Sequence, residues 1–448
     1  EVSKYLMILL MAIYTYANFR FFSFPDLERK RKVCARQNRA MFLLHFLAYV
    51  VMYLKTEDET LRRMLLVFYV GQVVFFLFYI YIYRFIYRNV SRLLVNNCCM
   101  LLACGFIMLT RLSLDKGLDK AFKQFVIVAA AAILSWLVPF IMERFWQLYK
   151  FQWVYAGIGL AALLVVWVAG NESFGAQLSL TVGGISIQPS EFVKISFVFF
   201  VASMFYQSLD FKNICITTVV AALHVVILVL SKDLGSALIF FISYVIMLFI
   251  ATGNWLYLIA AGVLGKGATS IAYTLFDHVR RRFTAWKNPW ADIDNTGYQI
   301  TQSLFAIGTG GWFGMGLYQG MPKKIPVVEK DFIFAAISEE LGGIYALCIL
   351  LICLGCFMQF MLIATRMQAL FYKLIAFGLG IEYVVQVFLT IGGVTKFIPS
   401  TGVTLPLVSY GGSSILSTFI LFGVIQGLYV LKRNEEEEEE QQFDEAEG

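Results

Sequence analysis

Long apolar runs dominate the chain, and what separates them is short: a few charged residues, a glycine or proline, a basic cluster. A bilayer core about 30 Å thick takes roughly 20 apolar residues in helical form. Thirteen runs bounded by charge or turn residues fit that length, centred near Leu10, Leu47, Phe75, Ala103, Ala132, Ala162, Phe199, Ala222, Ser243, Ala261, Leu350, Ile381 and Leu421. Each predicts a transmembrane α-helix. The second, between Arg39 and Lys55, is short for a bilayer unless its flanking cations snorkel. The expected fold class is an all-α polytopic membrane protein.

The basic breaks orient it. "ERKRKVCARQNR" (28–39) and "YRFIYRNVSR" (83–92) are strongly cationic and separated by an even number of spans, so both are expected in the cytoplasm. "MERFWQLYK", "ATRMQALFYK" and the acidic tail then lie inside, and loops 113–120, 170–188, 276–330 and 391–410 outside. The first residue also falls outside, which, with no initiator Met or cleavage pattern, fits native residues ahead of it. The "NVS" sequon at Asn89 faces the cytoplasm and is expected to be inert.

Composition agrees. Of 448 residues, 59% are hydrophobic and 15% charged, with a mean hydropathy of +0.73, against roughly 45–50% and about 25% in soluble domains. The cysteines lie mostly inside apolar runs without metal-ligand spacing, and His45, His224 and His278 are far apart, so neither a disulfide framework nor a zinc site is indicated. A net charge of +6 without basic stretches interleaved with aromatics excludes nucleic acid as the expected partner; lipids and membrane proteins remain.

Polar groups gather at the external ends of the spans. "EKDFIFAAISEELGG" (329–343) puts Asp331, Glu339 and Glu340 into an apolar stretch, where an acid serves chemistry, transport or a structural ion pair. Asp331 lies where the long loop re-enters the membrane; a helix cap is possible there, but an acid facing a cationic loop is the better catalytic candidate. In "IQPSEFVK" (187–194), Glu191 and Lys194 share a helical face, as an internal ion pair or a functional one. Asp233 in "SKDLGSA" suits a cap at a turn. "KFIPSTGVTLPLVSYGGSS" (396–414), with Ser409 and Ser413, fits a re-entrant irregular segment lining a cavity. Residues 288–320 read as an amphipathic surface segment. The loop cations, among them Arg281 and Lys330, form either a solvated basic loop or a docking surface for an anionic substrate.

The runs "QPSEFVKI", "KDLGSALI", "YQITQSLFAIGTGGWFGMGL", "DFIFAAISEELG" and "PSTGVTLPLVSYGGSS", in this order, resemble the SEDS family (shape, elongation, division and sporulation; RodA-, FtsW- and SpoVE-like proteins). The resemblance implies a ten-span core over 93–433, including the external loop 276–330, preceded by an extension of about three helices over 1–92 and followed by a disordered acidic tail, 434–448. It implies a peptidoglycan glycosyltransferase acting on lipid II, the undecaprenyl-pyrophosphate-linked disaccharide pentapeptide, at the outer face of the bacterial cytoplasmic membrane. A class B penicillin-binding protein, the crosslinking transpeptidase, is the implied partner. Asp331 matches the family's essential acid, Glu191 and Lys194 its polar helix pair, and Asp233 the acid of its "DLG" turn. The chain departs from the pattern at Gln177–Ser179, where a basic and aromatic stretch is usual, at Thr390 for asparagine, and at Lys396 for glycine. These departures bear on substrate detail more than on the reaction.

The implied reaction is inverting transfer of the growing glycan from its lipid diphosphate to a sugar 4-hydroxyl, with Asp331 as general base. The donor carries its own leaving group, so no nucleotide is needed, and the chain has no P-loop or GxGxxG motif. The candidate substrate-binding set is Glu191, Lys194, Asp233, Arg281, Lys330, Ser409 and Ser413. Lys194, the loop cations or a divalent cation, Mg²⁺ or Mn²⁺, are the candidates for neutralising the diphosphate. A precursor transporter (flippase) is the alternative from another class, and a scaffold without catalysis the third.

Overall fold

The computed structural model describes residues 2–145, 147–173, 176–182 and 185–447. In chain order the elements are α1 (Val2–Arg20), α2 (Leu27–Lys55), α3 (Glu59–Ile86), α4 (Arg92–Ser113), α5 (Asp119–Arg144), α6 (Gln152–Ala169), β1 (Asn171–Ser173), β2 (Ala176–Val182), β3 (Ile185–Ile187), α7 (Ser190–Gln207), α8 (Phe211–Leu230), α9 (Leu234–Thr252), α10 (Leu256–Leu275), α11 (Asp277–Lys287), α12 (Tyr298–Gly310), α13 (Ile333–Leu341), α14 (Gly343–Arg366), α15 (Leu370–Val394) and α16 (Gly412–Glu447). Every predicted span centre falls in a helix. Eleven of these helices are long and apolar enough to cross a membrane; α2 and α7 are diluted by charged and polar residues toward their ends.

Three local features go beyond the sequence reading. The basic stretch 28–39 lies in the first half of α2, not in a loop: Asp26 caps the helix, accepting from the backbone N–H of Glu28 at 3.0 Å and Arg29 at 3.3 Å, which lengthens the short second span. The loop 170–188, expected outside, pairs β1 with β2 and β2 with β3 in an antiparallel ribbon; the side chains of Gln177 and Leu178 lie outside the described residues. The acidic tail, expected to be disordered, continues α16 to Glu447. Extending a formed helix needs no new nucleus, glutamate and glutamine are good helix formers, and Lys432–Glu435 (3.4 Å) and Arg433–Glu436 (2.9 Å) pair one turn apart.

The chain divides into two compact units. The first comprises Glu1–Ile133, Asn288–Cys356 and Thr390–Gly411. Its centre is α4, whose apolar window is buried throughout. The N-terminal helices do not fold apart from it: Tyr14 donates to Asn97 (3.0 Å), Asn97 to Asn18 (2.8 Å), Asn96 to Gln37 (3.2 Å), and Tyr49 bonds Thr110 (2.9 Å). In a bilayer such side-chain bonds between helices contribute about 0.6–2 kcal/mol each. The second unit comprises Leu134–Lys287, Phe357–Leu389 and Gly412–Gly448. Here α7 is the buried helix, packed by α6, α8, α9 and α16. Gly378 of α15 admits close contact, since a Cβ there would stand 2.6 Å from Val198 and 2.7 Å from Met247.

Candidate active site

In the first unit, Asp331 is half-buried, two residues ahead of α13. The segment carrying it is fixed by the stretch before α16. Ser409 Oγ donates to the Lys330 carbonyl at 2.6 Å and accepts from Leu405 N–H at 2.9 Å, while Tyr410 N–H donates to the Glu329 carbonyl at 2.7 Å. Gln124 of α5 holds the same stretch, donating to the Ser409 carbonyl (3.2 Å) and accepting from Gly411 N–H (3.3 Å). Ser409, expected to bind substrate, thus has its hydroxyl committed to the backbone beside Asp331. Lys120 pairs with Glu329. Burial alone would raise the Glu329 carboxyl, but the Lys120 hydrogen bond prevails and holds it below the usual carboxylate range. Replacing Ser409 with alanine removes its bond to the loop bearing Asp331 and the Leu405 bond that holds the hydroxyl in place, each about 0.5–1.5 kcal/mol. Catalytic turnover is expected to fall about tenfold with KM little changed; steady-state kinetics of the variant decide it.

The two glutamates that follow are structural. Glu340 of α13 is 0% exposed and accepts from Arg111 Nε of α4 at 3.0 Å, and Arg111 stacks 4.1 Å from the Tyr318 ring centre. Glu339 accepts from Met321 N–H at 2.8 Å. Around them the glycine-rich loop after α12 is sewn to the end of α13: Met315 N–H to Glu339 O and Gly316 N–H to Glu340 O, both 2.9 Å, and Gly343 N–H to Gly311 O, 2.8 Å. The glycines let the two backbones touch. Gly342 has φ +94°, and a Cβ on it would lie 2.5 Å from Gly314 N. Gly342→Ala is expected to cost about 1–3 kcal/mol, read as a lowered unfolding temperature of the purified protein.

In the second unit the helix starts form one polar knot. Asp233, the N-cap of α9, accepts from Ser236 N–H (3.1 Å), Ser236 Oγ (2.8 Å) and Ser190 Oγ (3.0 Å). Burial pushes its carboxyl above the usual range against the pull of those bonds. Gln188 joins the knot through Ser190 at 3.2 Å, and its N–H donates to Ser413 Oγ at 2.9 Å. One turn into α7, Lys194 Nζ lies 2.6 Å from Glu191 and 2.8 Å from Gln386 of α15, and Ser417 of α16 donates to Glu191 at 3.0 Å. The structure therefore joins Glu191 to Lys194 and Asp233 to Ser413. Arg281 sits apart from these bonds, exposed on α11.

Sequence reasoning missed Arg111, Gln386 and Glu382. Glu382, in mid-α15, is 0% exposed, and neither carboxylate oxygen has a hydrogen-bond donor among the described residues. A lone glutamate and glutamine one turn apart in an otherwise apolar run were the available signal. No three His, Cys, Asp or Glu side chains converge to hold a metal among the described residues. A divalent cation would therefore find no ready protein cage among the described residues.

Comparison with known proteins supplies the lineage. The family model described as cell cycle protein, for FtsW, RodA and SpoVE, matches residues 91–434. Peptidoglycan glycosyltransferase RodA of Mycobacterium tuberculosis is 32% identical over 358 residues, covering 74% of this chain and 76% of its own. Stage V sporulation protein E of Bacillus subtilis is 32% identical over 349 residues, 74% and 95% of the two chains. Among solved structures, a chain of a peptidoglycan synthase complex described as coordinating polymerization and crosslinking has a TM-score of 0.66 at 23% identity, covering 77% of this chain and 98% of that one. Thermus thermophilus rod shape determining protein RodA scores 0.57 at 22% identity, covering 76% and 96%. With motifs, fold and family match in agreement, the chain belongs to the FtsW, RodA and SpoVE family of cell cycle proteins, the SEDS family.

Proposed function

We propose that this chain, a peptidoglycan glycosyltransferase of the bacterial cytoplasmic membrane, polymerises lipid II at the outer face with Asp331 as the general base. The observation that carries the reading is the anchoring of Asp331: two hydrogen bonds from Ser409 and Tyr410 clamp the residues just before it, leaving a half-buried carboxylate beside Lys330. The 4-hydroxyl oxygen of the acceptor sugar attacks the anomeric carbon of the donor. As that bond forms, the bond to the lipid diphosphate breaks, and the hydroxyl proton passes to Asp331. Correct placement of the base matters as much as its basicity. Lys330 supports the negative charge that develops on the leaving diphosphate. Ser409 acts as a positioning residue rather than a substrate contact. Glu191, Lys194, Asp233 and Ser413 are proposed substrate contacts whose present bonds would be exchanged on binding, and Arg281 is exposed and able to meet an anion directly.

A class B penicillin-binding protein is the proposed partner, in line with the synthase complex that the fold resembles. The test is direct: purified protein, alone and with that partner, is given lipid II, and the products are separated by gel. Glycan polymer supports the reading. Absence of polymer in both preparations, with lipid II moved across a liposome bilayer instead, overturns it in favour of a transporter.

A further inference from the structure

Lys266 stands at the middle of α10, ten residues from Leu256 and nine from Leu275. At 1.5 Å per residue that is about 14 Å of helix to either end, half of a hydrocarbon core about 30 Å thick. No residue of α10 is buried, and the Lys266 side chain makes no hydrogen bond or ion pair among the described residues. An ammonium at that depth costs at least about 2.5–3.5 kcal/mol on insertion scales. Lipid phosphates lie outside the core, so reaching one means thinning or wetting the bilayer, whereas a carboxylate at equal depth on another helix needs neither.

The helix surface around Lys266 suits such a neighbour. Gly262, one turn before it, and Gly267, next to it, have nothing within 4 Å of where a Cβ would be. Gly262, four residues before Lys266, lies on the same helical face and lets a second backbone approach closely there. A second copy of this chain does not supply the charge, because the acid at mid-depth of its long helices among the described residues, Glu382, is 0% exposed.

We propose that the Lys266 face of α10 is a docking surface for a membrane-spanning helix of another protein, one that carries an aspartate or glutamate at mid-depth. Lys266 supplies the ion pair, and Gly262 the close contact.

The test uses the full-length protein in liposomes with a labelled synthetic transmembrane peptide, leucine- and alanine-based, bearing Asp, Asn or Leu at its centre. Association is read by energy transfer. The Asp peptide is expected to bind at least about tenfold more tightly than the Leu peptide, a preference kept in Lys266→Arg, lost in Lys266→Leu, and transferred to a Lys-centred peptide in Lys266→Glu. Unchanged lipid II polymerisation by Lys266→Leu shows that this variant is folded. Equal binding of Asp and Leu peptides to the wild type, or a preference that survives Lys266→Leu, overturns the proposal. So does Lys266-dependent retention of phosphatidylglycerol, seen by native mass spectrometry, in the absence of peptide binding, since the cation then serves a lipid headgroup.

Discussion

Replacing Asp331 with asparagine is expected to lower lipid II polymerisation by about 100- to 10,000-fold, the usual contribution of a positioned general base, while lipid II binding changes little. The substitution keeps shape and half-burial but removes the proton acceptor. The loop should stay in place, because the bonds from Ser409 Oγ to the Lys330 carbonyl and from Tyr410 N–H to the Glu329 carbonyl are untouched by the substitution. Two measurements separate the roles: polymer formed per unit time, and retention of lipid II by the purified variant. A variant that polymerises at the wild-type rate removes Asp331 from the chemistry. Loss of binding and activity together would make it a substrate contact instead.

Comparing Asp331→Asn with Ser409→Ala sharpens this. Both are predicted to act on turnover, but the alanine variant retains the base and only loosens its support. The smaller effect should come from Ser409, whose hydroxyl works through the backbone. The reverse ranking would say that the segment before α16 does more than hold a loop.

What the sequence made legible follows from the range of each interaction. Spans were readable because an apolar run declares itself over consecutive residues, and every span centre falls in a helix. Asp233 was readable as a cap and Glu191 with Lys194 as a pair, since each involves partners within a few positions. Ser409 looked like a substrate contact because its partners, the Lys330 carbonyl and Leu405 N–H, include one 79 residues away that no local pattern announces. The helical start of α2 was hidden by its charge, which suggested a loop, although Asp26 is a regular N-cap ahead of it. The acidic tail was misjudged for the same reason: charge argued for disorder, while its continuity with α16 and its helix-forming residues argued otherwise.

The second large effect concerns Arg111 and Glu340. Arg111→Met should destabilise the protein by about 3–5 kcal/mol, because it leaves Glu340, fully buried, without its counter-charge. Glu340→Gln should cost less, since the amide keeps an acceptor oxygen for Arg111 Nε and carries no charge of its own, although the Arg111 charge then stays in place beside Tyr318. The double variant Arg111→Met with Glu340→Met is the decisive case. Buried pairs replaced on both sides by apolar groups of similar volume are often neutral or stabilising, so most of the lost stability should return, as read by thermal unfolding in detergent. Activity need not return with it. Arg111 ties α4 to α13, which begins two residues after Asp331, and Tyr318 and the backbone bonds from Met315 and Gly316 join the glycine-rich loop to the same helix end. A double variant that is stable but slow would show that the pair orients the segment carrying the base. One that is both stable and fast would confine the pair to folding, and one as unstable as Arg111→Met alone would mean that the arginine holds the fold through Tyr318 rather than through Glu340.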